Sequence, residues 1–127
     1  MRLALAALLT VFTALPAVAM MAPEYYERAR EEAPNVIVIA VHEVEGAKGD
    51  IGWCRVHGIV DEVERGTKYA VGDDVAIAVE CLGPAAVDVP VGGTIWQDMP
   101  RLMKSHRGKA WLDEAGAIAL SQYEVLE

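Results

Sequence analysis

Val36-Ile37-Val38-Ile39-Ala40-Val41 is an unbroken apolar run in which five of six residues branch at Cβ. Branching at Cβ stiffens χ1 and suits the pleated surface of a strand. A strand with one wet face alternates apolar and polar residues, whereas an unbroken run implies cover on both faces for part of its length. The strand predicted over Asn35 to Glu45 therefore begins buried and emerges into water where alternation returns. It opens a stretch, Asn35 to Cys81, that holds three strands and both cysteines. The rest of the chain reads as built around it.

Ile51 to Arg65 predicts a long second strand. Alternation puts Cys54, Val56, Gly58 and Val60 on one face and Arg55, His57, Ile59 and Asp61 on the other. Val63 falls out of phase with Val60, so a bulge near Asp61-Glu62 is needed to keep both inside. Gly58 at mid-strand predicts tight curvature. After a turn at Val71-Gly72-Asp73, a third strand runs from Asp74 to Cys81, with Val75, Ile77, Val79 and Cys81 inward and Ala76, Ala78 and Glu80 outward. Val87, Val89 and Val91 alternate as a short edge segment, weakened by Pro90, Gly92 and Gly93. A helix is predicted over Ala22 to Ala33, with Pro23 in its first turn and Pro34 ending it. Its Tyr25-Tyr26 pair is expected to dock it on a sheet. A second helix is predicted from an Asp98 N-cap through Arg107, stopped by Gly108. A terminal hairpin, Lys109–Asp113 and Ala117–Val125, turns at Glu114-Ala115-Gly116. This order describes a mainly β (α+β) chain, a small closed or partly closed barrel of five to six antiparallel strands with two short helices.

The first residues stand apart. Arg2, the apolar run Leu3 to Leu15, the Pro16 break and Ala17-Val18-Ala19 together form the pattern of a secretory signal cleaved after Ala19. The apolar run is too short to span a bilayer, so no stable membrane insertion is expected after cleavage. Residues 20–127 then form a single domain, periplasmic or secreted. Without Arg2, 10 basic side chains face 19 acidic ones, a balance of −9. This argues against nucleic acid and anionic membranes as partners, since both select basic patches.

The segment Val36 to Val79 resembles the netrin-module, TIMP-like branch of OB-type barrels. The similarity rests on Val36-Ile37-Val38-Ile39-Ala40, on Val56-His57-Gly58-Ile59-Val60-Asp61-Glu62-Val63, and on Tyr69-Ala70-Val71-Gly72-Asp73-Asp74-Val75. The whole chain is also similar to small secreted proteins of Gram-negative bacteria, which implies a periplasmic location. The resemblance implies an OB-like barrel. It does not carry over metalloprotease inhibition, because TIMP-type inhibitors bind the protease metal through a mature N-terminal cysteine. Here the predicted mature start is Met20-Met21-Ala22.

Two cysteines in an exported chain predict a disulfide, Cys54 to Cys81, and both fall on core-facing strand positions. A redox pair would favour Cys-x-x-Cys, which is absent. His57 follows Cys54 by three residues, which points the two side chains to opposite strand faces, so they do not form one metal site. His42 and His106 would have to converge on His57 for a histidine site. Asp73-Asp74 and Asp61-Glu62-x-Glu64 lack the oxygen spacing of a calcium loop and read as turn chemistry and a solvated strand end. Ser105 and Ser121 lack a Gly-x-Ser-x-Gly context. No phosphate-cradling motif is present, so no cofactor is expected. Trp53, predicted opposite Cys54, and Trp96 are candidate binding residues together with His57, since a partly exposed Trp pair would offer a stacking platform. The function expected from these features is non-enzymatic recognition of a protein or small ligand on the barrel face. Inhibition of an exported hydrolase and a small metal-binding or redox role are the alternatives.

Overall fold

The computed structural model describes residues 22–127, so the expected signal segment and its predicted cleavage after Ala19 lie outside the described residues. Two helices and six strands follow in the order α1 (Pro23–Glu32), β1 (Asn35–Glu45), β2 (Ile51–Arg65), β3 (Asp74–Leu82), β4 (Gln97–Asp98), α2 (Met99–Lys104), β5 (Arg107–Leu112) and β6 (Ile118–Leu126). The strands form one sheet in the order β4-β3-β2-β1-β5-β6, curled into a half-barrel. All neighbours are antiparallel except β3 and the two-residue β4.

Alternation decides the inside of the curl. Ile37, Ile39, Cys54, Val56, Val60, Ile77, Val79, Cys81, Ala110, Leu112 and Tyr123 line it, and Leu102 of α2 plugs one end. The unbroken apolar character of β1 has its explanation on the other face. There Val36 packs with Ala33 and Trp111 in a second small cluster, so Val36 to Ile39 are buried on both sides.

The ladder between β1 and β2 skips Asp61, since Val38 pairs with Glu62 and Ile39 with Val60. This bulge lets Val63 join the main core with Val60. The acids it turns outward are paired, Asp61 with Arg107 at 3.6 Å and Glu64 with Lys109. A Cβ on Gly58 would stand 2.7 Å from the Ala40 carbonyl oxygen, a close backbone approach between β2 and β1 that glycine allows. Cys54 and Cys81 form the expected disulfide, with Cα atoms 5.9 Å apart and both residues fully buried.

Three expectations need correction. The second helix ends at Lys104, where the Ser105 hydroxyl donates to the Leu102 carbonyl. His106 and Arg107 leave the helix because β1 claims the chain: Val41 N–H donates to His106 O, and Arg107 pairs with Ala40. Gly108 is accordingly no helix stop. It lies in β5, where any Cβ would overlap the Tyr123 hydroxyl. The segment with Val87, Val89 and Val91 forms no strand. Its place at the sheet edge is taken by Gln97–Asp98, parallel to Cys81 and Leu82. Lastly, α1 docks through polar groups, not a tyrosine pair. Tyr25 is exposed, while the Tyr26 hydroxyl donates to the Gly93 carbonyl at 2.6 Å. Arg30 lies 4.0 Å over the Trp111 ring and donates to Gln122 Oε1. Arg65 of β2 ties down the carbonyls of Arg30, Glu31 and Ala33 at the end of α1.

Candidate functional site

The outward residues of β2 and β3 form the floor and one wall of a groove. Trp53 and Arg55 point away from the core because Cys54 and Val56 point into it. Register sets Trp53 beside Glu80 and Arg55 beside Ala78. Ala76 and Ala78, too small to fill the surface, leave a depression between Trp53 and the tip of the β5–β6 hairpin. The hollow has a volume of about 400 Å³, and Gly116 and Ile118 complete its lining from the hairpin side. Trp53 is 60% exposed, a large apolar ring held open to solvent. The Tyr69 hydroxyl lies where a Cβ on Gly116 would point, at 2.6 Å, bracing the tip. Burial raises the Tyr69 pKa, and the nearby Asp113 charge adds to this.

Among the described residues, Arg55 makes no ion pair and no side-chain hydrogen bond. Arg30, Arg101, Arg107 and Lys109 each have a carboxylate in reach, whereas Arg55 shares its lack of an ion pair among these residues with Arg28, Lys48, Arg65, Lys68 and Lys104. The groove therefore offers a π face, an unpaired guanidinium and small apolar surface. Those elements stack a ring and fix an anion. Its lining contains no serine, cysteine, histidine or carboxylate.

Beyond Ile118 lies a second, shallower hollow bordered by Glu80, Thr94, Leu120 and Ser121. Leu120 and Ser121 both adopt left-handed backbone conformations, with φ of 43° and 59°. Two such residues in succession, neither of them glycine, are costly. They interrupt the β5–β6 ladder between Leu112 and Ala110. Ser121 Oγ donates to Glu80 across the seam between β3 and β6 at 3.2 Å.

Of the residues singled out from sequence, only Trp53 lines this groove. Trp96 is half-buried and does not border it. No aromatic contact joins the two among the described residues. His57 sits farther along β2, bonded to Glu45 at 3.0 Å, with the His42 ring 6.4 Å away. No group of three or more His, Cys, Asp or Glu side chains among the described residues is placed to hold a metal ion. The basic residues after α2 border another hollow, of about 500 Å³, with Arg101, Lys104, His106 and Arg107. Two of its cations are already neutralised, Arg101 by Glu127 and Arg107 by Asp61. No described helix is long and apolar enough to cross a membrane.

Sequence reading placed Arg55, Ala76 and Ala78 on outward faces but gave them no role. Their parity with Trp53 was the available signal. The hairpin-tip residues had none, because only the curl of the sheet brings them alongside. In comparisons with known proteins, the chain matches no family model, no curated protein and no solved structure.

Proposed function

We propose that this chain is an exported, disulfide-stapled OB-like binding module, non-enzymatic, that acts in the periplasm by holding a ligand in the groove beside Trp53. The observation that carries the reading is Trp53 itself, held 60% exposed on a rigid strand beside an unpaired arginine and an alanine floor. Exposing a Trp ring forfeits roughly 2–3 kcal/mol of hydrophobic stabilisation, and exposed aromatic anchors are typical of recognition surfaces. The disulfide supports an oxidising compartment. The unpaired Arg55 supports a ligand that carries a carboxylate.

The test is NMR mapping. Isotope-labelled protein is titrated with a fragment library of aromatic and aliphatic carboxylates. The expected result is binding that shifts the amides of Trp53, Arg55, Ala76 and Ala78, and that is lost in Trp53→Ala. Fragments that bind elsewhere, or equally well to Trp53→Ala, would refute the assignment.

A further inference from the structure

β3 spans nine residues, yet β4 covers its outer edge only at Cys81 and Leu82. On that side β6 runs alongside, but no backbone hydrogen bond joins β3 to β6 among the described residues. The left-handed pair Leu120-Ser121 bends β6 out of step there. The barrel is thus left open along one seam.

The seam has a defined hydrogen-bonding pattern. Val60 N–H donates to Asp73 O. In an antiparallel ladder, main-chain groups turn alternately toward and away from the neighbour. With Gly58 paired to Val75 and Val56 to Ile77, the N–H and C=O groups of Ala76 and Ala78 face the seam. They present an unpaired strand edge that lacks the usual guards, with no proline, lysine or bulge between Val75 and Val79. Trp53, Arg55 and the hairpin tip flank that edge. Ile118 borders both hollows, so the path continues past Glu80 and Ser121 as an elongated track. A compact ligand suits a concave pocket that encloses it, whereas an open track beside a strand edge suits an extended chain. In a chain whose exported part carries −9, the unpaired Arg55 is a local cation at this edge.

Resting on the groove assignment above, we propose that the occupant is an extended peptide segment of a partner protein, bearing an acidic side chain, that adds as a strand to the free edge of β3. Main-chain bonds to Ala76 and Ala78 supply affinity. Trp53 covers one side chain of the segment, and Arg55 pairs with its carboxylate. The alanine floor leaves space for side chains that a bulkier strand would exclude.

The probe is a linear random-peptide phage library, panned against the exported protein, and then the synthetic consensus peptide. The expected consensus contains Asp or Glu, and its binding slows hydrogen exchange at Ala76 and Ala78. N-methylating the peptide at alternate residues should weaken binding about tenfold, the loss expected when a main-chain hydrogen bond goes unmade. Methylation at the intervening residues should be tolerated. Arg55→Met should abolish the preference for the acidic peptide over its amide analogue. Ala78→Pro deletes one edge N–H and should weaken binding of the peptide. If peptides bind while exchange at β3 is unchanged and every N-methyl analogue binds alike, strand addition is wrong and the groove assignment survives. If fragments bind and no peptide is selected, the peptide occupant is overturned. If neither binds, both readings fall.

Discussion

Removing the disulfide tests how the two central strands are held together. Cys54 and Cys81 are 27 residues apart and fully buried. The chain-entropy relation for a loop of this length gives about 3.6 kcal/mol at 25 °C. Substituting both by alanine also empties two sulfur positions in the core, at about 1 kcal/mol each. The reduced wild-type protein keeps both sulfur atoms, so the oxidised–reduced difference isolates the loop effect. Cys54→Ala/Cys81→Ala adds the cavity effect, about 5–6 kcal/mol in all. A domain of this size has about 5–15 kcal/mol of net stability, so the alanine pair should sit near the folding threshold. The assay is urea unfolding followed by far-UV circular dichroism, with and without reductant. The oxidised protein should also show a smaller m-value, because a cross-linked unfolded chain exposes less surface. A difference below about 1 kcal/mol between oxidised and reduced protein, with equal m-values, would show that the bridge does not constrain the unfolded ensemble as the loop length requires.

Other consequences concern the packing around the barrel. The Tyr123 hydroxyl is buried without a hydrogen-bond partner among the described residues, so Tyr123→Phe should raise stability by about 1 kcal/mol in the same urea assay. Burial also pushes the Tyr123 pKa above its ordinary value. Stability from this group is intact below about pH 10 and is lost as pH rises further, where only the unfolded chain releases the proton. In wild type this group contributes a loss of about 1.4 kcal/mol per pH unit above that point, and Tyr123→Phe should remove its share of the slope. Gly108→Ala forces a methyl against the Tyr123 ring, and thermal unfolding should show it destabilised by about 2–3 kcal/mol. Asp98 accepts the Arg101 N–H at the start of α2, so Asp98→Ala should cost about 1 kcal/mol and speed amide exchange in that helix.

Much of the strand framework was legible because its signals are local. The β-branched run of β1, the alternation of β2 and β3 and the phase slip between Val60 and Val63 each report burial on a named face. Gly108 shows the limit of such signals. After a helical pattern a glycine reads as a stop, but its cause here is an aromatic ring contributed by β6. The Val87–Val91 alternation likewise suggested a strand, but the edge positions beside Cys81 and Leu82 are taken by Gln97–Asp98. Trp53 was legible as outward-facing, yet nothing local connected it with Gly116 and Ile118, which are more than sixty residues away in the chain.

The sequence alone therefore determined which residues face inward, which cysteines pair and where β2 must bulge, since periodicity is a property of neighbouring residues and the chain has only two cysteines. Only the tertiary structure decided that the barrel stays open between β3 and β6, that Arg55 has no carboxylate partner among the described residues, and that an alanine floor lies between Trp53 and the hairpin tip. Those features depend on how far the sheet curls before its edges meet. That curl is the sum of bulges, close glycine contacts and two left-handed residues acting across strands distant in sequence.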